Sequence, residues 1–362
     1  MHDHDEERDA RNDRKAVAPR ARGRIPVTSQ RDAADLPVLV VYNLDDAWED
    51  HEKEYQVEEI QRLCSSLGEL GHPVAPLKII DHRLHHHLSG FHPEDWIIMN
   101  LCEEIPGKPH SEAEVARVLE QRNMIYTGSL PETLSRCEDK RHVKQTLIAH
   151  GLPTPAWRLF EEPSAPDWEC FPAIVKPANE HCSLGIDSQS VVLNRQELER
   201  QIRFIIRAFK EPALVEDFID GREFHVSLIG NRFLLMLPPV EMDFSQCSDI
   251  HDRLCTYDAK FSPESKQFEI IETVVPAPLT PSEYGQLEKL CRDCFRVFAI
   301  RDYARLDIRL RDGVFYVLDI NPNPDLSSEA SIASAAEEVG LSFGELGSSL
   351  VRLAASRHPL FA

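Results

Sequence analysis

A short polar stretch near the C-terminus contains the residues most able to do chemistry together. Residues 303–310 and 314–321 read as two strands joined through Arg311-Asp312-Gly313, a β-hairpin. A three-residue loop with Gly313 in the left-handed position pairs Leu310 with Val314. That register sets Arg305 opposite Asp319 and Asp307 opposite Val317, with Leu306, Ile308, Leu318 and Ile320 sharing the other face. Asp307, Asp319 and Asn321 then offer oxygen ligands on one surface beside Arg305. Hard ligands of this kind suit Mg²⁺ that also holds substrate phosphates. The same residues would equally form a solvent-exposed sheet face with a cross-strand arginine–aspartate pair, and two carboxylates alone do not decide between the two.

Lysines elsewhere could meet such phosphates. Phe171-Pro-Ala-Ile-Val-Lys176 ends an apolar strand in a lysine, and a polar loop at 179–185 follows. Lys176 stands either at a phosphate or at the water-facing end of its strand, the commoner fate of a lone lysine. Lys140 follows Asp139 at a helix start, and Lys260 lies in the loop 257–261. Each also reads as a surface lysine. The segment from Leu214 through Glu216, Asp217, Phe218 and Ile219 to Glu223 leaves a strand through a turn. It would present backbone amides to an adenine edge and a carboxylate to ribose hydroxyls, or serve as a plain acidic turn.

The elements that must position these residues fit a chain of several units. At 362 residues, two or three domains sharing clefts are expected. With 42% hydrophobic and 28% charged residues and no apolar run long enough to span a bilayer, no membrane partner is expected. A formal net charge of -21 argues against a nucleic-acid partner, so an anionic nucleotide must be met by a local cationic pocket or by metal. Nine cysteines without a paired framework, and no apolar leader, point to a reducing cytoplasm. Residues 1–35 mix both charges with few large apolar groups and read as a disordered tail.

From residue 36 onward, strands at 36–42, 74–80, 96–100 and 125–129 alternate with helical patterns, a small parallel α/β domain over 36–130. Ser111 with Glu114 is placed for a capping box. Gly151-Leu-Pro-Thr-Pro155 marks a helix stop. Beyond it, strands at 173–176, 213–217, 223–229 and 232–238 outnumber helices, so mainly antiparallel α+β domains are expected over 131–215 and 216–362.

Read in order, YTGS, the DK helix start, the VKP strand, VEDFIDGREF, YDAKF and ARLDIRL with FYVLDINPNPDLS resemble the D-alanine:D-alanine ligase family of the ATP-grasp fold. The resemblance covers residues 36–357 and is strongest after Tyr126. It implies an N-terminal parallel α/β domain and two α+β domains sandwiching ATP. The implied enzyme is an ADP-forming ligase joining amino-acid-like small molecules through an acyl phosphate. Carried over by position, Lys140, Lys176 and Lys260 hold the phosphates, Ser183 covers them, Glu216 meets the adenine amino group, the backbone of Asp217, Phe218 and Ile219 follows the base, and Glu223 takes the ribose. Asp307, Asp319 and Asn321 match ligands of two Mg²⁺ ions, with Mn²⁺ an alternative, and Arg305 matches the oxyanion-stabilising arginine. Self-association into a homodimer is left open.

Departures from the family fall on the amino-acid side. The family's N-terminal glycine-rich signature is absent, and Asp45, Asp46 or Glu49 either substitutes for its glutamate or caps the next helix. Cys182, Phe261, Asp325 and Ala330 replace residues near the two substrates. A different substrate pair is therefore expected. A depsipeptide ligase, motivated by Phe261, and a nucleotide-binding protein without turnover are the alternatives. The histidines at 82, 85, 86, 87 and 92 read as a solvated segment, and Cys291 and Cys294 as part of a helical core stripe.

Overall fold

The computed structural model describes residues 32–164, 167–180, 183–255 and 270–362. Residues 1–31 of the expected tail lie outside them, as do Cys182, Lys260 and Phe261. A first sheet contains β1 (Val38–Asn43), β2 (Val74–Ile79), β3 (Ile97–Leu101) and β4 (Ile125–Tyr126) in the order β2-β1-β3-β4, all parallel. Every residue of β1 is buried. The alternation of a strand explains why: Val38, Val40 and Tyr42 enter one core while Leu39 and Val41 enter another, so both faces must be apolar. Helix α1 (Asp50–Glu69) covers the first face through Ile60, Leu63 and Leu67, and α2 (Glu112–Gln121) covers the second through Val115 and Leu119.

Local signals behave as their chemistry dictates, with instructive exceptions. Glu49 caps α1, its amide donating to Glu52 at 2.8 Å, so of its two offered roles it takes the capping one. Ser111 does not cap α2 with its side chain, a correction to the capping box. Its hydroxyl is held by the preceding loop, donating to the Lys108 carbonyl at 2.5 Å and accepting from the Ile105 amide at 2.8 Å. After α3 (Pro131–Glu138), Asp139 caps α4 (Lys140–Ala149) by accepting from the amides of Arg141 and His142. Gly151, at φ +67°, ends the turn after α4 as its type permits.

Two antiparallel sheets follow. One is ordered β5 (Trp157–Phe160), β8 (Ala213–Asp217), β6 (Ala173–Pro177), β7 (Val191–Val192), and α5 (Arg195–Phe209) packs on it through Leu198, Ile202 and Ile205. The other runs β12 (Glu272–Val274), β11 (Val240–Asp243), β9 (Arg222–Gly230), β13 (Tyr303–Arg311), β14 (Val314–Asn321), with β10 (Leu234–Met236) paired to β9. Residues 232–238 thus supply only a short strand. Helix α6 (Pro281–Val297) backs this sheet, and Cys291 and Cys294 are buried in its core. Helices α7 (Ser331–Glu338) and α8 (Phe343–Ala355) return the chain to the first sheet, where Leu346 and Leu350 join the core of α1 and β3.

Thr280 opens α6 with a full capping box to Glu283. Thr280→Ala should cost about 1 kcal/mol, a Tm loss of roughly 2–4 °C. A thermal melt superimposable on the parent's would show that the cap contributes nothing.

The β13–β14 hairpin differs from the expected register. Asp312 and Gly313 both have positive φ, +53° and +76°, so the turn has two residues and Arg311, not Leu310, pairs with Val314. A bulge between Asp307 and Ile308 then shifts the ladder again: Ile308 pairs with Val317, but Asp307 pairs with Asp319 and Arg305 with Asn321. Val317 therefore enters the core, and Leu318 turns to the face that carries the aspartates. The bulge places Asp307 directly opposite Asp319.

Candidate active site

A cleft of about 840 Å³ separates the two antiparallel sheets. The hairpin forms one wall. Arg305 grips Asp307 with two bonds, Nε to Oδ1 at 2.7 Å and Nη2 to Oδ2 at 3.0 Å. Asn321 Nδ2 donates to Asp307 Oδ2 at 3.3 Å, and Asp319 Oδ1 accepts from the Ile320 amide at 3.0 Å. All four side chains are only partly exposed, and all line the cleft. Two carboxylates and an amide on neighbouring positions of a paired ladder are an all-oxygen set that fits a hard divalent cation.

The opposite wall carries the lysines. Lys140 and Lys176 both line the cleft and are buried. Lys140 Nζ lies 3.9 Å from Asp319 Oδ2 and donates to the Glu180 carbonyl. Lys176 is ion-paired with Glu216, and so is Lys144, at 2.5 Å. These contacts are ionic rather than well-aligned hydrogen bonds. Burial would raise the Glu216 carboxyl, yet the two lysines bring it down to about 2. Burial pushes the Lys144 ammonium downward, against the pull of Glu216. Lys144 also donates to Thr154 Oγ1 and to the Leu318 carbonyl, both at 2.9 Å, tying α4 to β14. Glu216 thus anchors a buried cation–anion–cation row beneath the cleft floor.

Lys144 escaped the sequence reading, although a signal was present. Lys140, Val143, Lys144 and Leu147 are the buried positions of α4, spaced i, i+3, i+4, i+7. Two lysines on an apolar stripe need a buried partner.

At the other end the cleft is apolar, with Ile174, Ile186, Phe218, Leu254 and Leu318 around it. Arg309, buried and likewise unforeseen, organises this end. It donates to Glu223 Oε2 at 2.7 Å and to the Ile219 carbonyl at 3.0 Å, and its guanidinium lies 4.7 Å from the centre of the Phe218 ring. The arginine holds the Glu223 carboxyl well below the usual range even though burial works the other way. His225 sits between Glu223 and Asp307, at 3.7 and 4.0 Å. The period of two along β9 placed it on the Glu223 face, the clue a reader of the sequence could have used. Glu223, His225 and Cys255 bring ligand atoms within 4.8 Å of one another. The ion pair with Arg309 already occupies Glu223, which disfavours a further cation. Asp217 is drawn off to Arg311 at 2.5 Å. Ser183, with φ +63°, donates to the Cys255 carbonyl at 2.8 Å and lines the cleft between the walls.

A second cleft of about 570 Å³ opens at the carboxyl ends of the first sheet, between α1, β3, α2 and the segment after β14. Asn321 lines the first cleft and Asn323 the second, so one short segment borders both. Carboxylates dominate here. Glu59 accepts from the Ser328 amide at 2.6 Å and from Arg62 at 3.1 Å, Glu112 accepts from Asn323 Nδ2 at 2.7 Å, and Asp325 caps the Ser327 amide at 2.7 Å. Glu103 lines the cleft and is exposed to water. The neighbouring walls, with Asp325 and Glu104, push its carboxyl upward. Enclosure likewise raises Glu112 to about 8. Asp45 accepts from the amides of Ala47 and Gly107, at 2.8 and 2.6 Å, so it braces a loop. Ala330 begins α7 without a side-chain cap.

Two antiparallel sheets closing on a cleft that is cationic at one end and apolar at the other, beside a parallel α/β unit, define an ATP-grasp protein. The family described as D-ala D-ala ligase C-terminus matches residues 149–352. The uncharacterised protein y4sG of Sinorhizobium fredii is 33% identical over 72% of this chain and 75% of its own length. The D-alanine–D-alanine ligase of Pseudothermotoga lettingae is 25% identical over 81% of this chain and 92% of its own. D-alanine–D-alanine ligase from Bacillus anthracis, in a crystal complexed with ATP, has the same fold, with a TM-score of 0.67 at 17% identity over 89% of this chain and 98% of that one. The chain belongs to the D-alanine–D-alanine ligase family, the ADP-forming ATP-grasp enzymes that make a carbon–nitrogen bond. Among the described residues, no helix is long and apolar enough to cross a membrane.

Proposed function

We propose that this enzyme condenses two amino-acid-like molecules at the cost of ATP, and that the pair is not two molecules of D-alanine. The observation that carries the proposal is the junction of the two clefts: a cation-and-carboxylate surface suited to a metal–triphosphate adjoins a polar cleft along the start of β13, Tyr303 to Arg305, and the segment from Asn321 to Ser327. Asp307, Asp319 and Asn321 would hold one or two Mg²⁺ ions, which would neutralise phosphate charge when bound. Lys140 and Lys176 face the phosphates, and Lys260, outside the described residues, is assigned to them by the resemblance alone. The apolar end takes the base, with Glu223 toward the ribose. Glu216, carried over as an adenine contact, acts in this reading chiefly through the lysines it holds.

In the first step a carboxylate oxygen attacks the γ-phosphorus, the bond to the β-phosphate oxygen breaks, and ADP departs. An amine nitrogen then attacks the acyl carbon and expels phosphate, its proton passing to water. Arg305, locked by both oxygens of Asp307, is aimed rather than mobile, so it can stabilise the developing oxyanion without reorganisation. Alignment supplies the remaining rate enhancement.

The test is release of ADP and phosphate with D-alanine alone, then with single and paired amino and hydroxy acids, products being identified by mass. D-Alanine alone is expected to be a poor substrate. If it gives the best kcat/KM and D-alanyl-D-alanine accumulates, the proposed substrate side is wrong. A hydroxy acid as the best second reactant would make the enzyme a depsipeptide ligase instead.

A further inference from the structure

The second cleft offers a ligand acidic groups and no resident cation. Glu59, Glu103, Glu112 and Asp325 line it, and its lining contains no lysine, arginine or histidine. Arg62 reaches Glu59 only from the exposed side of α1. The oxygens of Glu103 have no hydrogen-bond or ion-pair partner among the described residues. Neutral walls would leave such charges unanswered, and packed like charges disfavour their own ionised forms.

Two further polar groups face the same cleft. Asn100 is 3% exposed and lines the cleft, and its side-chain amide nitrogen donates to no described residue. Tyr303 is 1% exposed and lines the cleft as well. Its hydroxyl feels Glu112, Glu103 and Asp325 electrostatically but has no hydrogen bond to a described residue. Asn100 Oδ1 already accepts from the Cys102 amide, so its amide nitrogen and the Tyr303 hydroxyl are the donors that these two side chains leave open to a ligand's acceptors. Donors within a carboxylate-rich cleft complement a zwitterion: the amide meets a carboxylate or carbonyl, and the glutamates meet ammonium groups.

We infer that the second cleft binds an amino-acid-like reactant whose side chain carries its own positive charge, with Glu103 as the specificity-determining residue. This rests on the ligase reading above, because it names the class of one of that reaction's two substrates. An α-ammonium alone offsets a single carboxylate. A second ammonium at the end of a short aliphatic chain offsets Glu103, while the apolar stem lies along Ile60, Leu63 and Leu326. A neutral side chain of the same length would strip water from Glu103 and return nothing, which is the usual source of strong discrimination.

The test is calorimetry on the full chain with Mg²⁺ and a non-hydrolysable ATP analogue, using both enantiomers of ornithine and lysine against norvaline and norleucine. At least one cationic amino acid should bind about tenfold or more tightly than its neutral counterpart, a difference of about 1.4 kcal/mol. Glu103→Gln should abolish most of that preference while leaving the neutral amino acid's affinity within twofold. Glu103→Lys should reverse the preference, and both variants should melt as the parent does, since water reaches this side chain. Equal binding of charged and neutral partners, or a preference that survives Glu103→Gln, overturns the inference. So does calcium binding lost in Glu103→Gln without any amino-acid preference. Release of ADP is measured in parallel. Turnover with neutral pairs and no cationic preference sinks this inference alone, whereas cationic binding without ADP release under any pairing sinks the ligase reading alone.

Discussion

Asp319→Ala should lower kcat by about 10²–10³-fold or more while leaving the melting temperature within a few degrees of the parent's. The side chain is part-exposed in the cleft, and among the described residues its one hydrogen bond is accepted from the amide of the next residue. Its loss removes one of the two anionic oxygens that the bulge brings face to face, and so weakens the hold on the divalent cation. Lys140 at 3.9 Å loses a counter-charge as well. The dependence of rate on Mg²⁺ should shift to higher concentration in Asp319→Asn, which keeps the shape and one oxygen donor. Circular dichroism, a thermal melt and an ADP-release assay decide the matter together. Parental rates in Asp319→Ala would remove the hairpin from the chemistry.

Glu216→Ala should be the most destabilising single change at this site, about 3–5 kcal/mol, because it leaves two buried ammonium groups without their anion. Lys144 retains only Thr154 and main-chain carbonyls, which cannot replace a charge. Lys144→Met should be milder, since Lys176 still answers Glu216 and the methionine fits an apolar stripe. The same row predicts a pH dependence. The Glu216 carboxyl is depressed from 4.5 to about 2, so its contribution is fully present above pH 4.5 and is lost as the pH falls through about 2. The shift corresponds to about 3 kcal/mol. Melting curves of the parent and Glu216→Gln between pH 6 and pH 2 should therefore converge at the acid end. A constant gap across that range would mean that the carboxylate's charge is not what stabilises the row.

Both expectations depend on features with different origins in the chain. The run of β-branched and apolar residues in β1, the asparagine or aspartate and glycine at helix ends, and the Asp312-Gly313 turn are local. Their energetics are settled within a few neighbours, so strands, helix caps and the existence of the hairpin are legible from residue types. Cys291 and Cys294 fall on a helical stripe for the same reason and lie in the core. Ordered motifs along the chain were enough to indicate the family.

What the residues could not disclose by themselves is register and partnership. The two-residue turn set Val317 in the core and Leu318 on the cleft face, and the extra residue at the bulge then brought Asp319 to that face opposite Asp307. Glu216 meets Lys144 across 72 positions of chain, Arg309 meets Glu223 across 86, and Glu59 meets Ser328 across 269. A lysine on an apolar stripe states that a buried anion is needed without saying which. Sequence alone therefore indicated the element types, the existence of the hairpin and the family. Only the tertiary structure decided which carboxylates neutralise lysines and which stand unanswered in the second cleft, because desolvation and pairing depend on segments that meet only after the sheets have packed.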